Sequence, residues 1–282
     1  MTQRHAQQPH VVAIGGVGGS GTRIGAALLQ ILGYYIGDDL NEPLDNLWFT
    51  LLFKRRSILV EDELGFCALA SLFFSRMSGE ADFSGEQRAR VSRLVDDGRL
   101  QHPQDWLRQR AESFLSGPCS RNAGQPWGWK EPNTHIIIDH LLEIQPDLRY
   151  IHFTRHPLDM AFNANQNQLE NWGPVFLNRD VANEPCQSLA YWCAAHRRMN
   201  AVMRRWPERT MTIDFDELCA DPQNQGARIA RFLDVAFSDE SGAKLGNLID
   251  HKRPSRGRFK AADLTQFNPD DMSYVRELGY AV

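Results

Sequence analysis

The chain reads as an α/β protein, a three-layer sandwich with a mainly parallel central sheet and a P-loop-like nucleotide-binding topology. Three observations point there. An apolar run at 11–14 leads into glycines at 15, 16, 18, 19 and 21, after which Ile24, Ala27, Leu28, Ile31 and Leu32 fall at helical spacing. Two further apolar runs, 148–154 and 209–215, each end in a helix-start signal. Strands and helices alternate along the chain, an order that sets strands parallel, covers both sheet faces with helices and gathers a site at the strand C-terminal ends.

The whole chain bounds what that site serves. At 282 residues with 42% hydrophobic side chains, residues 1–282 form one domain with a full core, in which 40–125 is a helical portion. A net charge of −4 leaves no electrostatic footprint for nucleic acid or an anionic membrane. The five cysteines, at 67, 119, 186, 193 and 219, are odd in number, lack metal-ligand spacing and read as reduced thiols. No apolar run approaches the roughly 18 residues a membrane span needs, and the first ten residues hold no apolar signal core, so the chain reads as soluble and cytoplasmic.

The first strand, glycine loop and helix make the sharpest feature. Successive N–H groups of such a loop point into one concavity at a helix N-terminus, where the dipole also favours an anion, so the expected ligand is a phosphate. From Gly16 the loop fits the frame G-x4-G, but the Lys-Ser/Thr pair of a triphosphate loop is replaced by Thr22-Arg23, which counts against an ATPase or GTPase. The run GGVGGSGTR resembles the 5′-phosphosulfate loop of the sulfotransferase family, whose members often read PKSGTT. That resemblance implies 3′-phosphoadenosine 5′-phosphosulfate (PAPS) as donor. It implies too that Gly18, Gly19, Ser20, Gly21 and Thr22, with Arg23, hold the phosphosulfate. Gly19 stands where the family has a basic residue. The residues alone also allow a tight turn without ligand.

After Gly33, a helix stop, a short strand runs into an acidic turn, Gly37-Asp38-Asp39. It resembles the C-G-E-E element of protein-tyrosine-type members, which makes Asp39 a candidate base for the acceptor hydroxyl; a solvated turn is the other reading. Residues 44–117 are helical, with Leu64, Cys67, Ala68, Ser71, Leu72 and Ser75 on one face and a capping-box spacing at Ser84 and Gln87. Family resemblance fades there, and the segment is expected to shape an acceptor pocket. Trp48, Phe49, Phe53, Phe73 and Phe74 either line it or form core.

Trp127 to Lys130 reads as a short strand, followed by a turn at Pro132 and Asn133 and a helix capped by Asn133 or Thr134. Lys130-Glu131-Pro132 resembles the family's K-D-P element, whose lysine sits over the transferring group and stabilises the leaving oxygen. Glu131 and His135 are alternative bases, His135 reading equally as a polar surface residue.

Arg155-His156-Pro157-Leu158-Asp159 resembles the family's R-x-P-x-D element, in which the arginine and a serine eight positions later bind the 3′-phosphate. Pro157 suits a first helical turn and the eighth position is Asn163, two turns along, whose amide donates as a hydroxyl does. Arg155 otherwise serves as a salt bridge between strand ends. Residues 166–185 read as a loop and 186–205 as a long helix. Phe215 ends the last strand where the family has a tyrosine against the adenine, with core packing as the other reading, and Asp221-Pro222 starts a helix.

Near the C-terminus Lys252, Arg253, Arg256, Arg258 and Lys260 cluster. The run resembles the RKGxxGDWK segment of cytosolic sulfotransferases, with Lys252, Arg253 and Gly257 closing over the nucleotide and Pro254 in place of a glycine. A solvated basic face is the alternative. Taken together, these motifs imply a sulfotransferase that passes a sulfuryl group from PAPS to a hydroxyl or amine on a small molecule, carbohydrate or peptide, without a metal. A non-catalytic nucleotide-binding homologue and a small-molecule kinase are the rival readings.

Overall fold

The structure, a computed structural model, describes residues 11–80, 82–250, 257, 259 and 262–282. Four strands, β1 (Val11–Gly16), β2 (Gly128–Lys130), β3 (Leu148–Thr154) and β4 (Thr210–Asp214), form an all-parallel sheet in the order β2-β1-β3-β4. Ile14 faces Lys130 on one side and Ile151 on the other, and Thr154 faces Asp214. The glycine loop, Lys130, Arg155 and Phe215 therefore leave the sheet at one edge.

Alternation along the strands sorts the two covering layers. Ala13, Trp129, Leu148 and Tyr150 point to one face and pack with α2 (Leu47–Phe53), α3 (Glu63–Ser78), α5 (Gln104–Ser116), α6 (Ile138–Ile144), α8 (Asn167–Leu177) and α9 (Pro185–Arg205). Val12, Ile14, Ile151, Phe153 and Ile213 point to the other, under α1 (Thr22–Ile31), α10 (Phe215–Ala220), α11 (Pro222–Phe232) and α12 (Asp239–Asp250). A third cluster joins α7 (Pro157–Ala161) and α9 to α13 (Pro269–Glu277). The expected three-layer α/β architecture is present.

Local signals act where they stand. Ser84 and Gln87 form a reciprocal capping box on α4 (Gly85–Arg93), Asp221 caps α11 with Pro222 in its first turn, and Gly33 follows α1 with φ 85°.

Several expectations need correction. Residues 166–185 are mostly helix: α8 occupies them, buries Leu169 and Trp172, and carries Pro174 inside. Its apolar positions outweigh the polar composition that suggested a loop. The anticipated strand after Gly33 shrinks to a bridge between Tyr35 and Trp127. On α3 the buried stripe is Phe66, Leu69, Ala70, Phe73 and Met77, whereas Leu64 is 83% exposed, because the larger side chains set the face. Trp48, Phe49, Phe53 and Phe73 are core, with Phe49 and Phe73 packed on Trp129, rather than lining a pocket.

Candidate active site

The turn after β1 is built on backbone that side chains disfavour. Gly19 and Gly21 have φ of 94° and 92°, and Gly21 is the left-handed N-cap of α1. A Cβ at Gly19 would overlap the Asn163 amide, and one at Gly21 would overlap the Phe215 ring. Gly18 instead faces room, its nearest neighbour being Gln168 at 3.8 Å. Ser20 is fully buried with an Oγ that finds no protein partner, Thr22 opens α1, and no acidic side chain occupies that helix's first turn. The concavity offers N–H donors at the positive end of a helix, which suits a phosphate.

From β3 the loop at Arg155 brings a guanidinium 5.5 Å from the centroid of Phe215, the first residue of α10. Arg155, Phe215 and Gly21 thus meet across three strand ends. Asn163 reaches Gly19, but from beyond the helix: α7 stops at Ala161, one turn earlier than expected, and the Asn163 N–H donates to Met160 O at 3.0 Å. Asp159 is buried and accepts a hydrogen bond from the Gly257 N–H at 3.2 Å, which ties the C-terminal segment to the arginine loop. Lys252 and Arg253 lie outside the described residues. Nearby, Tyr280 donates to Asp214 at 3.1 Å and His156 stacks on Phe259 at 4.6 Å.

Arg23 turns elsewhere. Its guanidinium grips Glu42 through two bonds of 3.0 and 2.8 Å at the surface. Lys130, fully buried at the end of β2, donates to the Pro43 carbonyl at 2.6 Å and to Asp45; burial lowers its pKa and Asp45 opposes that shift. Glu131 caps the 3₁₀ turn Pro132–Ile136 by accepting from Asn133, whose side-chain amide lies at 2.8 Å. This cap replaces the one expected at Asn133 or Thr134. Burial raises the Glu131 pKa, and Lys54 at 4.0 Å pulls it back. The Asp39 Oδ1 accepts from Arg110 at 2.7 Å.

His135 is not a surface residue. It is completely buried, its Nε2 lies 3.2 Å from Gln168 Oε1, and burial holds its pKa down at about 3. Gln168 also donates to Gly16 O at 3.2 Å, linking His135 to the base of the glycine loop. Asp45, Lys54 and Gln168 escaped the sequence reading. The cue for Lys54 was the basic triplet Lys54-Arg55-Arg56 closing an apolar helix. Nothing in the local pattern marks Gln168, whose importance comes only from tertiary approach. Among the described residues no helix is long and apolar enough to cross a membrane.

A family model described as "Sulfotransferase family" matches residues 67–239. No curated protein matches the chain in sequence. Among solved structures, sulfotransferase STF9 from Mycobacterium avium is 17% identical, with a TM-score of 0.51 over 97% of this chain and 76% of that one. The sulfotransferase domain of the olefin synthase from Synechococcus PCC 7002 is 18% identical, with a TM-score of 0.50 over 100% of this chain and 98% of that one. At those identities the likeness speaks to the fold.

Proposed function

Because the chain belongs to the sulfotransferase family, we propose that it moves a sulfuryl group from PAPS to a hydroxyl or amine. The observation that carries this reading is the meeting of Gly21, Phe215 and Arg155, with Asn163 against Gly19, at the ends of adjoining parallel strands. A glycine loop at a helix N-terminus, an aromatic ring and a guanidinium side by side suit a nucleotide carrying phosphates at two positions.

The residues present fit that donor. Backbone amides of Gly18, Gly19, Gly21 and Thr22 hold the 5′-phosphosulfate, while the Ser20 N–H braces the loop by donating to Val17 O at 3.1 Å. Arg155 and Asn163 hold the 3′-phosphate, and Phe215 offers a stacking face. Lys252 and Arg253, outside the described residues, are assigned to the same anion on their resemblance alone. When bound, the donor supplies a sulfuryl group whose bond to the bridging phosphate oxygen breaks as the acceptor atom bonds to sulfur, releasing the bisphosphate and one proton.

We assign Lys130 to the oxygen that gains charge; burial lowers its pKa, and Asp45 opposes that shift. We assign the acceptor's proton to Glu131 ahead of Asp39. Glu131 adjoins Lys130, and burial raises its affinity for a proton. His135 supports the loop through Gln168 rather than taking the proton. Calorimetric titration with adenosine 3′,5′-bisphosphate, beside ATP with magnesium, tests the reading. Metal-independent binding of the bisphosphate supports it; binding of ATP alone would favour a kinase.

A further inference from the structure

A cavity of about 310 Å³ opens beside the strand ends between the C-terminus of α2, the segment 97–102 and α8. Its position follows from two contacts. Lys54 on its wall lies 4.0 Å from Glu131, and Gln101 donates to Asn167 O at 2.8 Å, one residue before the Gln168 that holds Gly16. The space accommodates about one sugar or aromatic ring.

The walls are mainly cationic. Lys54, Arg55, Arg56 and Arg99 face a single carboxylate, Asp97. Arg55 is neutralised by Glu61 at 2.6 Å and by Asp97 at 3.6 Å. Arg99 spends its donors on the carbonyls of Thr50 and Leu51, and Arg56 on those of Glu170 and Asn171. Those carbonyls fix the guanidinium groups without cancelling their charge. His102, stacked on Trp106 at 4.3 Å, has a buried Nε2 with no protein partner, and Gln101 Oε1 is likewise unpartnered. Burial first, then Lys54 and Arg99, hold the His102 pKa down at about 4.

We propose that this cavity receives the acceptor and selects one that carries an anionic group, a carboxylate, phosphate or sulfate, beside the hydroxyl or amine to be sulfated. The proposal rests on the donor reading above. An anion held by Lys54 and the Arg56 rim places a neighbouring hydroxyl toward Glu131, and it pulls Lys54 from Glu131, which leaves that carboxylate less tied at the moment the acceptor is in place. A neutral acceptor of the same size leaves the cations uncompensated.

The first test needs no donor. NMR of the His102 ring is followed as 4-hydroxybenzoate or its methyl ester, and glucuronate or glucose, is added to the full chain at millimolar concentration. The acids should shift the ring resonance and the neutral partners should not. Lys54→Gln with Arg56→Gln should weaken acid binding on the order of tenfold or more. Transfer from labelled PAPS should favour the acid of each pair by a similar factor in kcat/KM. Equal shifts from acid and neutral probe, no shift from either, or acid binding untouched by the double substitution would overturn the proposal. Bisphosphate titration on the same samples separates the two readings: its failure in the wild type removes the donor assignment and leaves the anion result standing.

Discussion

The ring of Phe215 lies against Gly21 so closely that no Cβ fits between them, which locks the start of α10 to the N-terminus of α1 across the sheet edge. Gly21→Ala introduces both that overlap and a left-handed alanine, costing about 1–2 kcal/mol for the backbone alone. Phe215→Ala opens a cavity and costs about 3–5 kcal/mol. In urea unfolding the double variant should lose less than the sum of the single losses, because Phe215→Ala removes the overlap. Strict additivity would show that the two residues do not press on each other.

The two arginines assigned to the donor should behave unequally. Arg155→Ala is expected to weaken bisphosphate binding by about tenfold to a hundredfold, as for loss of a charged hydrogen-bonding partner. Arg23→Ala should cost less than about threefold, since Glu42 already holds that guanidinium at the surface. Comparable losses in calorimetry would return Arg23 to the site.

Lys130→Ala and Glu131→Gln should each lower kcat far more than they change bisphosphate affinity, and Asp39→Asn should lower kcat less than Glu131→Gln. A larger loss for Asp39→Asn would move the base there.

Glu131→Gln should also alter stability with pH. Burial raises the folded pKa above 4.5, so the wild-type side chain's stabilising contribution is present below 4.5 and is lost as pH rises through the raised value. Glutamine has no such loss. The variant should therefore gain on the wild type as pH rises above 4.5, by up to about 1.4 kcal/mol per pH unit until the folded carboxyl has ionised. Parallel stability curves would contradict it.

The buried histidines act in the opposite direction. His135 is held at about 3 and His152 well below 6.5, both through burial. Below 6.5 the unfolded chain takes up protons that the folded chain refuses, so stability should fall as pH drops from 6.5. Each residue contributes a slope of up to about 1.4 kcal/mol per pH unit. His135→Gln should flatten this decline in denaturation curves at pH 4 to 7; an unchanged slope would refute the assignment.

What the sequence disclosed and what it withheld divide along a physical line. The glycine loop, the strands at 11–14, 148–154 and 209–215 and the caps at Ser84 and Asp221 depend on near neighbours in the chain, and they were readable. Asn163, expected two turns along a helix, lies beyond that helix's end at Ala161 and against Gly19. The capture of Arg23 by Glu42, of Asp39 by Arg110 and of Lys130 by Asp45 depends on which side chains arrive from distant segments. So does the burial of His135. The cations around the α2 terminus were visible as letters, but their common cavity was not.

Lys130 and Glu131 stand on or beside a strand of only three residues, too short to hold its place by sheet pairing alone. Trp129 fixes it instead, wedged among Phe49 and Phe73, while the Asn46 N–H donates to Lys130 O at 2.7 Å. The lysine and its carboxylate thus owe their positions to the packing of the helices of 47–116, whereas β1, β3 and β4 have longer pairings of their own. That same helical segment bridges the long excursion from β1 to β2. Substitutions that retune the acceptor cavity therefore act on the scaffold that closes the sheet, and selection for a new acceptor and selection for efficient folding fall on one set of residues.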